Sequence, residues 1–241
     1  MFTKNYAAFT ALEIKTKPKA IVFDWDNTLA DTWPLIHDAM NEARVAFGKE
    51  TWSPQEVKDR VHKSMRESFP AMFGDDWQEA GKIYLDSYAK NNLTNLRLLP
   101  GALNLLKELK KQNIRVFLVS NKIGITLRKE VEALNLNEYF FSVIGSMDAD
   151  LDKPNVDPVR LALQGSDVDF ETDKDDIWFI GDTISDIDCA INCGFTAIAY
   201  DYDRGRLSKS ISESEDFQDS STADLAVYHD HRDLIKMIQS F

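Results

Sequence analysis

Four short runs in this chain are continuously apolar or nearly so: Ala20–Phe23, Val116–Val119, Trp178–Ile180 and Thr196–Ala199. Runs of this length without polar alternation are expected of strands covered on both faces, as in a parallel sheet. Phe141–Ile144 and Leu225–Val227 are weaker strand candidates. Helical segments alternate with these runs, so the pattern predicts an α/β fold with a mainly parallel sheet. The interval between the first two strong strands reads differently. From Pro34 to about Asn92 the spacing is helical, with Ile36, Met40, Ala43 and Phe47 on one face of one helix and Ile83, Tyr84 and Tyr88 in another. Pro54 and Pro70 punctuate this stretch and Asn91-Asn92 closes it. Roughly 60 helical residues exceed an ordinary crossover, which predicts an inserted helical module. Pro100-Gly101 then opens a crossover helix over Ala102–Gln112, and Asp230–Phe241 reads as a closing helix. Ser208–Thr222, rich in Ser, Asp and Glu, reads as a solvated loop.

Composition narrows the partners. At 241 residues and 44% apolar content, the chain can bury a sizeable core and carry a smaller module on it. The net charge of −12 argues against non-specific nucleic-acid binding. No apolar stretch approaches the roughly 18–20 residues of a membrane helix. Met1–Thr16 lacks an apolar h-region, contains Glu13 and has no Arg, so neither a signal nor a transit peptide is expected. The two cysteines, Cys189 and Cys193, lie four apart in a predicted helix, a spacing that suits reduced thiols on one buried face. These features point to a soluble, cytoplasmic protein.

Candidate chemistry gathers where the apolar runs stop. The strand Ala20–Phe23 runs into Asp24-Trp25-Asp26-Asn27-Thr28, two carboxylates one residue apart. Ligands of open parallel sheets bind beyond the carboxyl ends of the strands, so both acids are expected at a site edge. One can stay ionised and attack while the other donates and takes a proton; a pair of helix-capping aspartates is the plainer reading. Val116–Val119 leads into Ser120-Asn121-Lys122, where a hydroxyl and backbone amides at a helix start would suit phosphate, or Ser120 would be an N-cap. Lys153 stands before Pro154, placed in the first turn of a helix over Val156–Gln164; it can reach the acids or stay solvated. Ile177–Ile180 ends in Gly181-Asp182, with Asp186 one turn into the next helix; catalysis and capping are both open to these acids. Neither G-x-G-x-x-G nor G-x-x-x-x-G-K-[ST] occurs. Were these four acids to converge on one lysine, either some carboxylates would protonate or a divalent cation would bind, and an all-oxygen set suits Mg²⁺.

In their order and spacing these pieces resemble the four motifs of the haloacid dehalogenase-like hydrolases, over most of residues 19–204. The resemblance implies a Rossmann-like doubly wound parallel sheet core (15–33 and 98–241) with an inserted α-helical cap domain (34–97). It implies a Mg²⁺-dependent phosphatase acting on a small phosphorylated metabolite through an aspartyl-phosphate. Asp24 is then the nucleophile and Asp26 the acid/base. Ser120, Asn121 and Lys153 bind phosphate, and Lys153 also holds the nucleophile ionised. Mg²⁺ is held by the Asp24 carboxylate, the Asp26 backbone carbonyl and Asp182, with Asp186 one layer further out. Asp26 argues against a true dehalogenase, whose pattern lacks that acid. Ser120-Asn121-Lys122 and Gly181-Asp182-Thr183 lean toward phosphoglycolate phosphatase-like members, although Val156 stands where that group often has the second proline of Lys-Pro-x-Pro. A phosphomutase of the β-phosphoglucomutase type and a non-catalytic phospho-acceptor or interaction protein are the alternatives. Monomer and homodimer are equally open.

Overall fold

A computed structural model describes residue 14 and residues 16–61, 63–202 and 226–241. The expectations for Met1–Thr16 fall almost wholly outside the described residues; those for the Ser208–Thr222 loop and Leu225 lie wholly outside them. Among the described residues six strands form one sheet: β1 (Ala20–Phe23), β4 (Arg115–Ile123), β5 (Ser142–Ser146), β6 (Ile177–Gly181), β7 (Thr196–Tyr200) and β8 (Ala226–Tyr228). Their spatial order is β5-β4-β1-β6-β7-β8, and every pairing is parallel. The order steps outward in both directions from β1, which makes the sheet doubly wound.

Alternation along the central strands divides the core. Ile21 and Phe23 of β1, Val116 and Leu118 of β4, and Trp178 and Ile180 of β6 pack on one face. Ala20 and Val22, Phe117 and Val119, and Ile177 and Phe179 pack on the other. The first face is covered by α5 (Ala102–Lys111), α6 (Gly124–Ala133) and α9 (His231–Gln239). The second is covered by α7 (Asp157–Leu163) and α8 (Ile184–Cys193). Both cysteines are reduced and buried in α8.

Four helices stand between β1 and β4: α1 (Trp33–Ala46), α2 (Pro54–Arg60), α3 (Met65–Phe73) and α4 (Trp77–Asn95). The chain leaves the core through β2 (Ala30–Asp31) and returns through β3 (Arg97–Leu98), which pair antiparallel as a short ribbon. Pro54 begins α2, as Pro tolerates the first turn. Pro70 lies inside α3 rather than ending it, and α4 continues through Asn91-Asn92 to Asn95. Apolar packing on both sides of these residues overrides their breaker character.

Two boundaries near the motifs also move. The helix expected at Ser120 opens only at Gly124, because β4 carries on to Ile123 with its register on β5 shifted between Val119 and Ile123. A Cβ on Gly145 would lie 2.5 Å from the Lys122 carbonyl oxygen, so glycine there lets β5 approach the extended strand. The helix expected from Pro154 starts instead at Asp157, with Pro158 in its first turn. The Lys153–Pro154 peptide is cis. No helix among the described residues is long and apolar enough to cross a membrane.

Candidate active site

Three adjacent strands bring their carboxyl ends to one edge of the sheet. Phe23 pairs in register with both Leu118 of β4 and Ile180 of β6, so Asp24, Ser120 and Asp182 emerge at nearly the same level. The Asp24 amide donates to the Ile180 carbonyl at 2.9 Å, fixing the first residue past β1. Carboxylate oxygens of Asp24, Asp182 and Asp186 lie within 4.8 Å of one another, and all three residues are buried.

Lys153 reaches into this cluster. Its Nζ donates to Asp24 Oδ1 and Asp186 Oδ1, both at 2.6 Å, and to the Val119 carbonyl at 2.8 Å, which uses all three ammonium protons. Burial works against the charge on Lys153, but Asp186 and Asp24 outweigh it and hold its pKa above the ordinary lysine value. For Asp24, burial pushes the carboxyl well up; Lys153 pulls it back, and Asp186 and Asp182 push it further. Like charges about 4 Å apart repel by roughly 4 kcal/mol at an effective dielectric near 20. Among the described residues one ammonium stands among three buried carboxylates, and that set of hard oxygen donors fits a divalent cation.

Local sequence explains the geometry. A Cβ on Gly181 would sit 2.2 Å from Asp186 Cγ, so only glycine admits the Asp186 carboxylate to the cluster. Asp186 Oδ2 accepts from the Thr183 amide at 3.0 Å and its hydroxyl at 2.7 Å. The capping and active-site readings of Asp186 are therefore both realised: one oxygen closes the first turn of α8, the other meets Lys153. Thr28 Oγ1 donates to Asp182 Oδ1 at 3.3 Å.

The second motif divides in two. Ser120 Oγ accepts from the Lys122 amide at 3.3 Å and, like Asp24, faces the cavity above the sheet edge. The Asn121 side chain turns to the Lys153 main chain: Nδ2 donates to the Lys153 carbonyl and Oδ1 accepts from its amide, both at 3.0 Å. The Asp26 carboxylate stands apart from the three clustered acids. Its Oδ1 accepts from Lys122 Nζ at 2.6 Å.

A family model described as haloacid dehalogenase-like hydrolase matches residues 21–200, a stretch that holds every one of these side chains. This chain belongs to the haloacid dehalogenase-like hydrolases. A phosphoglycolate phosphatase of Photorhabdus laumondii is 27% identical over 212 residues, covering 78% of this chain and 82% of its own. One from Aquifex aeolicus is 26% identical over 183 residues, covering 75% and 84%. Among solved structures, a HAD-superfamily hydrolase from Ehrlichia chaffeensis is 29% identical with a TM-score of 0.60, covering 94% of this chain and 98% of its own. A putative phosphoglycolate phosphatase from Lactobacillus delbrueckii, 20% identical with coverage of 92% and 99%, shares the fold with a TM-score of 0.75.

Around Asp26 the hydrolase holds a second buried cluster that the motif reading passed over. Lys122 Nζ donates to Asp26, to the Tyr88 hydroxyl at 2.7 Å and to both oxygens of Glu130 at 3.0 and 2.9 Å. Glu130, fully buried on α6, also accepts from Trp25 Nε1 at 2.5 Å and from Asn92 Nδ2 at 2.7 Å. Burial opposes the Lys122 charge, yet Asp26 and Glu130 carry its pKa above the ordinary value. A signal for Glu130 exists: it is the one acid on the apolar stripe Leu127–Val131. Arg66 of α3 grips Asp152 through two 2.6 Å hydrogen bonds, tying the helical insertion to the residue beside Lys153. No local pattern marks Arg66.

Proposed function

We propose that this hydrolase is a Mg²⁺-dependent phosphatase that cleaves a small phosphomonoester through an aspartyl-phosphate on Asp24. The observation that carries the reading is the meeting of Asp24, Asp182 and Asp186 around one ammonium, Lys153. Asp24 attacks phosphorus in line and Asp26 protonates the departing oxygen; Asp26 then takes a proton from the water that cleaves the acyl phosphate. Lys153 keeps Asp24 ionised. Lys153 and the Ser120 hydroxyl bind the non-bridging phosphoryl oxygens as charge develops there. Asn121 joins them through its backbone amide, while its side chain fixes the main chain of Lys153. The Asp24 carboxylate, the Asp26 backbone carbonyl and Asp182 would hold Mg²⁺, with Asp186 outside them. Bound there, the ion neutralises the excess carboxylate charge and polarises a phosphoryl oxygen.

Residues 34–97 act as a cap over the core of 15–33 and 98–241, hinged at the β2–β3 ribbon and latched by Arg66 on Asp152. The acidic charge and the buried, reduced cysteines support a cytoplasmic setting. The phosphoglycolate phosphatases among the relatives make phosphoglycolate the first ester to assay. The test is release of inorganic phosphate by the full chain with Mg²⁺, in wild type and in Asp24→Asn. Wild type should turn over, and the variant should lose at least about 10³-fold, roughly 4 kcal/mol of transition-state stabilisation, while keeping its circular dichroism spectrum. Near-normal turnover in Asp24→Asn removes Asp24 as the nucleophile.

A further inference from the structure

The cavity above Asp24 is bounded on its far side by the helical insertion, and that wall is apolar. Ile36 and Met40 of α1, Met65 and Phe69 of α3, and Tyr84 and Tyr88 of α4 line it. Three of their rings form a continuous surface: Phe69 meets Tyr84 edge-on at 5.5 Å between centroids, and Tyr84 stacks near Tyr88 at 6.1 Å. Three lysines reach the same cavity among the described residues. Lys153 is held by Asp24 and Asp186, and Lys122 by Asp26 and Glu130. Lys63 is exposed at the rim.

A leaving group that carries a carboxylate therefore meets a poor choice. Unless it extends out to Lys63 at the rim, it either draws Lys122 away from the fully buried Glu130 or lies without a cation against tyrosine and phenylalanine rings. The first leaves Glu130 with only the neutral donors Trp25 and Asn92, and the second leaves the substrate carboxylate without a counter-charge. A hydrocarbon leaving group gains by leaving water for the same wall. We propose that the preferred substrate is a phosphomonoester whose leaving group is uncharged and predominantly apolar, rather than a short carboxylate-bearing ester such as phosphoglycolate. The proposal rests on the phosphatase reading above and adds the substrate class to it.

The test uses the full chain with Mg²⁺ and three alkyl esters, so that leaving-group reactivity does not decide the order: ethyl phosphate, 2-phenylethyl phosphate and phosphoglycolate. The expected kcat/KM for 2-phenylethyl phosphate exceeds that for ethyl phosphate by on the order of tenfold or more and also exceeds that for phosphoglycolate. Calorimetric binding of 3-phenylpropylphosphonate should likewise be tighter than that of 3-phosphonopropionate. Met65→Lys, which sets an ammonium in the wall, should shift both orders toward the carboxylate-bearing compound. A flat series, a phosphoglycolate preference, or an order unmoved in folded Met65→Lys overturns the proposal and leaves the phosphatase reading standing. No phosphate release from any ester overturns that reading itself.

Discussion

Two lysines lie buried within one cavity, each bound to two carboxylates, yet their surroundings differ in what completes them. Around Lys122 the partners of Glu130 are neutral donors, the Trp25 indole and the Asn92 amide, and the Tyr88 hydroxyl takes one ammonium proton. Around Lys153 the next group is a further carboxylate, Asp182. The first cluster is closed by hydrogen bonds drawn from the core and from α4. Among the described residues the second gathers three buried carboxylates on one ammonium. Buried charge is tolerated when it is paired and hydrogen-bonded, so the Lys122–Glu130 pair is a structural joint, with Asp26 at its cavity edge. The Lys153 cluster, held in place by Gly181 and the first turn of α8, sets three carboxylates close enough to share a positive ligand.

If this contrast holds, removing an acid has opposite consequences in the two places. The largest effect on stability is expected from Glu130→Gln. The amide retains the shape but sets an N–H₂ against Lys122 or Trp25, both donors. Loss of a buried ion-pair partner costs about 3–5 kcal/mol, and the lower end applies because Asp26 still holds Lys122. Urea denaturation of the variant should show a drop of about 3 kcal/mol. A change below about 0.5 kcal/mol would mean that the Lys122 cluster is not the joint described.

A third buried titratable group supplies a neutral control. His231 donates from Nε2 to the Thr28 carbonyl at 2.8 Å and stacks on Tyr200 at 4.4 Å. Burial lowers its pKa from 6.5 to about 4. The neutral form is therefore the one that folds. Its contribution is complete above pH 6.5 and is lost as the pH falls from 6.5 to about 4, where the folded state also takes the proton. The span corresponds to about 3 kcal/mol. Asp230 beside it, drawn down to about 2 chiefly by its hydrogen bonds from Arg232, stays ionised throughout this window. Denaturation at pH 7 and pH 4.5 should show a smaller loss in His231→Gln than in wild type. Equal losses would exclude His231 as the group that titrates.

What the chain discloses in advance follows the same division. The acids of the Lys153 cluster each follow a strand or sit one turn into a helix, so a linear pattern records them: Asp24 after Phe23, Asp182 after Gly181, Asp186 at the head of α8. The sheet is legible for a like reason, since strands covered on both faces are apolar at every position. The Lys122 cluster joins Trp25, Tyr88, Asn92 and Glu130 across more than a hundred residues, and each alone reads as ordinary core or surface. Boundaries were least legible where packing beat local preference: Pro70 within α3, Asn92 within α4, and β4 extending past Ser120 because Gly145 admits it.

The smallest expected change in stability is also the sharpest test of the Lys153 cluster. In Asp182→Asn one of three crowded carboxylates becomes neutral while the Thr28 hydroxyl keeps an acceptor. Without added metal, relief of repulsion offsets the altered hydrogen bonding, and stability should stay within about 1 kcal/mol of wild type or rise slightly. With Mg²⁺ the two proteins should part. Wild type should gain in thermal midpoint as the ion concentration rises past its dissociation constant, because a ligand that binds only the folded state stabilises it by mass action. Asp182→Asn should show little or no such gain. Scanning calorimetry of both proteins across a Mg²⁺ series reads this directly and does not depend on turnover. A metal-free loss of several kcal/mol in Asp182→Asn would make Asp182 a structural partner like Glu130 and would erase the distinction between the two lysine clusters.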